Sequence, residues 1–178
     1  VARGLVGTDT QLVIVPTGTR NNIARALNIP HEIPDAIRLI EKGESVKVDM
    51  GRVRAGEQDL YFLELLSIGL GGAMFPALDE AQKGNIARIG DLLATFISHP
   101  ASKFALDLDR GKQTLDVEAL TITILNMPYL GANFQLSKQV DFQDGLLDVF
   151  VYADIGKLDL LTYAIQVAQG ATDDPRIR

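Results

Sequence analysis

The sequence predicts an α/β segment followed by a larger α+β domain built on an antiparallel sheet. Three observations predict it. Leu12-Val13-Ile14-Val15, an apolar run of β-branched character, passes through Pro16-Thr17-Gly18-Thr19 into helical spacing at Ile23, Ala24, Ala26 and Leu27. Near residue 43 the period changes, with Val46, Val48 and Met50 alternating against Lys47 and Asp49. Beyond that point strand-like runs outnumber helical ones, which suggests a sheet layer carrying helices.

In order, Val1–Thr10 reads as a frayed start, with Ala2 to Gly7 as the tail of a helix. Leu12–Val15 suits a buried strand. Gly18 permits an unusual backbone or a close approach. Asn21 or Asn22 can cap the helix that Asn28-Ile29-Pro30 stops. Pro34 to Lys42 is a short helix with Gly43 as its stop. Val46–Met50, a turn over Arg54–Gln58 and a return strand over Leu60–Ile68 read as a β-hairpin. Gly69, Gly71 and Gly72 mark a loop or a close backbone approach. Met74 to Lys83 has helical character. Ile86, Ile89, Leu93, Phe96 and Ile97 share one face of a helix that His99-Pro100 ends. Lys103–Asp109 and Leu115–Asn126 are strands joined at Arg110-Gly111-Lys112. In the second, Leu120, Ile122 and Ile124 face one way, Thr121 and Thr123 the other. Leu146–Tyr152 is a strand. Gly156–Gln169 is a helix with Leu158, Leu161, Ile165 and Ala168 on one face, and a polar tail follows from Asp173.

Composition bounds the function. The chain has 178 residues, enough for one good core. Its 17 Lys and Arg against 23 Asp and Glu give a net charge of −6. That argues against a nonspecific nucleic-acid binder, which needs a basic face, and gives no global attraction to an anionic membrane. There is no cysteine, so disulfides, thiol nucleophiles and cysteine–zinc sites are excluded; a cytoplasmic protein is the expectation. The two histidines, His31 and His99, sit in no ligand-spaced motif. The longest uncharged stretches are too polar and interrupted for a membrane span.

Two stretches carry candidate chemistry. Strand, tight loop and helix N-terminus over Val13–Leu27 can form an anion site, because free N–H groups and the positive end of the helix dipole meet there. Every α/β unit has such turns and most bind nothing, so on pattern alone an ordinary turn is the commoner reading. Asp141 and Asp144 supply the hard oxygens that Mg²⁺ prefers, while Asp144-Gly145 is also a common tight-turn dipeptide.

Three blocks carry a resemblance. Pro16-Thr17-Gly18-Thr19-Arg20-Asn21-Asn22 with Ile23-Ala24-Arg25 resembles the Pro-Leu-Gly-Thr-Gly-Asn-Asp-Phe-Ala-Arg block of the diacylglycerol kinase catalytic-domain family, which includes bacterial lipid kinases, sphingosine kinases and ceramide kinases. Tyr61 to Leu70 resembles its Phe-Leu-Asn-Val-Ala-Ser-Ile-Gly-Phe segment. Asp141 to Val149 resembles its Leu-Asp-Asp-Gly-Leu-Leu-Asp-Val segment. The order and rough spacing match across nearly the whole chain.

The resemblance implies residues 1–43 as the C-terminal part of a nucleotide-binding α/β domain and 44–178 as a β-rich, β-sandwich-like lipid-substrate domain. It implies an ATP-dependent lipid kinase that phosphorylates the hydroxyl of a diacylglycerol- or sphingoid-type lipid. Gly18, Thr19 and Asn22 are its ATP-binding positions. Asp141, Asp144 and Leu146, the last through its carbonyl, hold a structural Mg²⁺. Arg20 stands where the family has a small residue, and Asn22 where it has Asp; an amide cannot hold a metal as a carboxylate would. No catalytic residue is assigned. The family's Gly-Gly-Asp-Gly-Thr loop and Asp-Gly-Glu motif are absent from the 178 residues. The chain thus reads as a fragment, inactive alone. Its expected partners are a lipid at a membrane surface, bound peripherally, and a second copy in a homodimer. Leu65, Leu66, Ile68, Met74 and Phe75 read equally as a lipid groove or as plain core. The alternatives are a catalytically silent nucleotide- or lipid-binding relative and an NAD kinase-like enzyme.

Overall fold

A computed structural model describes residues 1–18, 20–74, 88–129 and 135–168. The backbone gathers into two compact units. One comprises Val1–Leu65 with Leu125–Asp148; the other comprises Leu66–Ile124 with Val149–Ile165.

The first unit opens with a 3-10 turn, Ala2–Leu5. Residues 11–17 follow without regular structure. This corrects the expected strand: Leu12 and Val13 are exposed, because no described strand pairs with the segment and its N–H and C=O groups enter no ladder. Helix α1 is Asn22–Ala26 and α2 is Ile33–Lys42. Ala24, Ala26 and Ala36 are their buried faces. Gly43 ends α2 as expected, but at an ordinary φ of −78°. The need for glycine there is close approach, since a Cβ would lie 2.5 Å from the Leu39 carbonyl oxygen.

Strands β1 (Gly51–Ala55) and β2 (Gln58–Phe62) form the hairpin, pairing Gly51 with Phe62 and Ala55 with Gln58. Gly56 turns the chain at φ +60°. The Phe62 ring covers Gly51, where a Cβ would sit 2.1 Å from it. The hairpin is displaced from the expected Val46–Met50 strand. Residues 46–50 are irregular, and the Asp49 N–H donates to the Phe142 carbonyl at 2.8 Å instead of joining a ladder. The expected return strand, Leu60–Ile68, is two strands. The Leu63 carbonyl accepts from the Asn126 side chain, and the Glu64 carbonyl from the N–H groups of Asn126 and Met127. With those acceptors taken, the hairpin ends and β3, Leu65–Gly69, begins in another sheet.

That sheet has four strands. β4 (Ser102–Leu108) and β5 (Gln113–Leu125) pair antiparallel from Ser102–Ala119 to Leu108–Gln113. β5 also pairs with β3 and with β6, Asp148–Ala153. Along β5, Leu115, Val117 and Ala119 alternate inward, and the second half is buried on both faces. Ala119, Ile122 and Val151 are the centre of the core, with Phe104, Leu106 and Val149 packed on them. Thr121 and Thr123 face the other way, yet are buried too. Thr121 Oγ1 donates to the Ile68 carbonyl and accepts from the Gly71 N–H. Strand β6 starts two residues later than expected, leaving Leu146 and Leu147 exposed.

Residues 70–74 are helical, and helices span Arg88–Ser98 and Lys157–Ala168. Their apolar faces do not lie as expected. Ile97 is 70% exposed and Leu158 78%, whereas Tyr163 is buried edge-on against Tyr152, centroids 6.0 Å apart. Two aromatic rings bury more area than one leucine, so Tyr163 sets the inward face of that helix. Burial, and then Tyr163, push the Tyr152 hydroxyl well above its ordinary pKa. The expectations for Thr19, Phe75, Ile86, most of Met74–Lys83 and the tail from Asp173 lie outside the described residues.

Candidate active site

The loop before α1 is closed by one side chain. The Gly18 N–H donates to Asn21 Oδ1 at 2.9 Å, and Asn21 Nδ2 donates to the Pro16 carbonyl at 3.2 Å. Asn21 holds φ +50°, a conformation that asparagine tolerates better than most residues. It staples the loop and makes no side-chain cap to the helix. Two consequences bear on anion binding. The Gly18 N–H is already used within the loop. Also α1 is only five residues long, so few peptide dipoles align behind the loop. Arg20 is exposed beside it.

Asn22, the first residue of α1, turns to a different partner. Its Nδ2 donates to Glu64 Oε2 at 3.0 Å, while its Oδ1 is buried without a partner among the described residues. Asn126, 1% exposed, donates from Nδ2 to the carbonyls of Asp49 and Leu63, both at 2.8 Å. Its Oδ1 is likewise buried and unpartnered. One helical turn beyond Asn22, the Arg25 guanidinium lies 4.4 Å from the Tyr129 ring centroid.

The turn at 141–148 gathers acids. Asp141 Oδ1 accepts from the Gln143 N–H and Asp144 Oδ1 from the Leu146 N–H. Asp49 Oδ2 accepts from the Gly145 N–H at 2.7 Å. Partial burial, and then the Asp144 charge, hold the Asp148 carboxyl above its usual range. Carboxylate oxygens are of the kind Mg²⁺ prefers, and each of Asp141 and Asp144 uses Oδ1 to close its own turn. No cluster of three or more His, Asp or Glu placed to hold a metal occurs among the described residues.

Gly18 and Asn22 thus lie on one loop–helix unit, and Asp141, Asp144 and Leu146 on one turn of the same compact unit. Glu64, Asp49 and Asn126 were not anticipated from sequence. Glu64 had a signal, being the one charge in the apolar run Leu60–Ile68. Asn126 had little, because a polar residue closing a strand is ordinary.

A mixed α/β chain, with a stapled glycine loop before a helix and an antiparallel sheet fed by an Asp-Gly turn, matches a known class. Residues 1–53 match the diacylglycerol kinase catalytic domain. Residues 82–177 match the YegS C-terminal NAD kinase beta sandwich-like domain, which is more than half of the chain. The chain belongs to the diacylglycerol kinase–YegS family, as the three sequence blocks implied. A protein of Synechocystis is 33% identical over 85% of this chain and 34% of its own length. A probable lipid kinase, YegS-like, of Serratia proteamaculans is 29% identical over 78% of this chain and 45% of its own. Among solved structures, a Bacillus anthracis protein assigned as a diacylglycerol kinase superposes with a TM-score of 0.65 at 26% identity, covering 97% of this chain and 57% of that one. The chain therefore spans less than half the length of these curated relatives.

Proposed function

We propose that the chain is part of an ATP-dependent lipid kinase that phosphorylates the hydroxyl of a diacylglycerol- or sphingoid-type lipid. The observation that carries this reading is the stapled Pro16–Asn22 loop, which falls within the match to the diacylglycerol kinase catalytic domain. In this reading residues 1–43 belong to the nucleotide domain and 44–178 to the lipid-substrate domain.

ATP supplies a γ-phosphoryl group to the lipid hydroxyl, and such transfer depends chiefly on positioning and charge neutralisation. In this reading Gly18, Thr19 and Asn22 are the positions that bind ATP. For the Gly18 N–H to reach a phosphate, Asn21 Oδ1 must release it. Asp141, Asp144 and the Leu146 carbonyl hold a structural Mg²⁺ that fixes the turn leading to β6. Neither Gly-Gly-Asp-Gly-Thr nor Asp-Gly-Glu occurs within the 178 residues, so the chain by itself is expected to leave the lipid unphosphorylated. The lipid is met at a membrane surface from the cytoplasm, by peripheral binding; no helix among the described residues is long and apolar enough to cross a bilayer. A homodimer accords with the same reading.

A second reading, a nucleotide-binding relative without transfer activity, is favoured by one observation: an amide stands at position 22. The test is the full-length protein with labelled ATP and, separately, diacylglycerol, sphingosine and NAD. Label appearing in an organic-soluble phospholipid is expected. Label in NAD alone, or nucleotide binding with no transfer, rejects the lipid kinase in favour of an alternative.

A further inference from the structure

Two of the family-like blocks depart from the pattern at polar positions, Arg20 and Asn22 in one and Glu64 in the other, and the departures at 22 and 64 are reciprocal. Where the pattern reads Gly-Asn-Asp, this chain reads Arg20-Asn21-Asn22. Where it reads Phe-Leu-Asn ahead of Ser-Ile-Gly, this chain reads Phe62-Leu63-Glu64 ahead of Ser67-Ile68-Gly69. An acid has become an amide at 22, and an amide has become an acid at 64. Taken singly, the first change removes a carboxylate from the loop and the second puts one into an apolar strand. The structure joins them, with Asn22 Nδ2 donating to Glu64 Oε2 at 3.0 Å. One amide–carboxylate hydrogen bond exists with either arrangement, and the pair carries one negative charge with either.

We propose that Glu64 is the carboxylate of the Pro16–Asn22 site, holding through water the divalent cation that accompanies a nucleotide's phosphates. The identity of that ligand rests on the kinase reading. Three observations support the role. A carboxylate only accepts, so the amide of Asn22 must present Nδ2 to Glu64. That fixes which Asn22 atom remains, and Oδ1 is buried with no partner among the described residues. A buried acceptor without a donor is unfavourable, and a water on a hydrated cation such as Mg²⁺ is a donor of the right kind. Glu64 itself leaves a fixed point of backbone, its carbonyl accepting from the N–H groups of Asn126 at 2.9 Å and Met127 at 3.0 Å. The backbone from which the side chain reaches Asn22 is therefore held in place.

The test is Mn²⁺ binding to the full-length protein, measured by the spin-resonance signal of free Mn²⁺ in the presence of a non-hydrolysable ATP analogue. Four forms are compared: the natural protein, Glu64→Gln, Asn22→Asp, and the exchanged pair Asn22→Asp with Glu64→Asn. Glu64→Gln is expected to weaken Mn²⁺ binding by at least about tenfold while remaining folded by circular dichroism. The exchanged pair is expected to regain most of that loss. Asn22→Asp alone sets two acids against each other, so its melting temperature should fall near about pH 8 and recover near about pH 5. The proposal is overturned if the natural protein binds no Mn²⁺, if Glu64→Gln binds it equally well, or if the folded exchanged pair stays weak. A protein that binds Mn²⁺ as described yet transfers no phosphate to any lipid rejects the kinase reading and leaves the Glu64 assignment standing.

Discussion

The two compact units treat buried polar side chains differently. In the sheet unit, the Ser67 hydroxyl lies 3.2 Å from Thr121 Oγ1, and Thr121 also bonds the Ile68 carbonyl and the Gly71 N–H. Those hydroxyls are partnered within the sheet. In the loop unit, Asn22 and Asn126 each donate well and each keep a buried oxygen with no partner among the described residues. Buried polar groups are nearly always satisfied, so an exception asks for an explanation. The sheet uses its hydroxyls to lock strands and turns, whereas the loop unit leaves two amide oxygens unpartnered among the described residues.

Substitutions can break or sharpen that contrast. The largest effect belongs to the sheet core. Ile122→Ala should lower stability by about 2–5 kcal/mol in denaturant titration, because the residue is fully buried among Ala119 and Val151. Asn126→Ala comes next, at about 2–3 kcal/mol, since it strands the Asp49 and Leu63 carbonyls. Thr121→Val strands the Gly71 N–H and the Ile68 carbonyl and should cost about 1–2 kcal/mol. The contrast predicts that ligand separates these two: saturating Mg²⁺ and ATP should raise the melting temperature of Thr121→Val as much as that of the natural protein, and that of Asn126→Ala by less. Equal shifts would mean that the orphan oxygen of Asn126 is unrelated to ligand.

Opening the loop is a smaller change. Asn21→Gly keeps the left-handed backbone and removes the staple to Gly18 and Pro16. Thermal melts should show a loss of about 1 kcal/mol, accompanied by faster amide exchange at Gly18. The smallest effect is at the Asp-Gly turn. Asp148 is held above its usual pKa by partial burial and by Asp144. Its raised value means that the folded state binds the proton more tightly than the unfolded one. The resulting stability is present below the ordinary carboxylate range and is lost as pH rises through the raised value. Asp148→Asn should therefore stabilise slightly near neutral pH, by a few tenths of a kcal/mol after screening by solvent (~1 °C in melting temperature), and give no advantage at low pH. Saturating Mg²⁺ should reproduce part of that gain if the ion binds at this turn.

Much of the sheet unit was legible because its signals are local. β4, β5 and the turn between them follow from alternation and from Arg110-Gly111-Lys112, with Gly111 at φ +83°. The loop unit was harder for reasons found at particular residues. Leu12–Val15 has strand composition but no partner strand among the described residues, and composition does not supply a ladder. The run Leu60–Ile68 looks continuous, yet Asn126 and Met127 claim its carbonyls in the middle. Asn22 looked like a lost carboxylate until Glu64, 42 residues away, proved to be its partner.

The sequence by itself determined the family, the order of the blocks, the α2 helix, the hairpin near residue 56 and the β4–β5 pair. Each depends on spacing within a dozen residues or on a motif read whole. Only the tertiary structure decided that Asn21 staples the loop instead of capping the helix, that Tyr163 and not Leu158 faces inward, and that Asn22 donates to Glu64. Those outcomes are set by hydrogen bonds and packing between groups far apart in the chain, whose geometry no local pattern encodes.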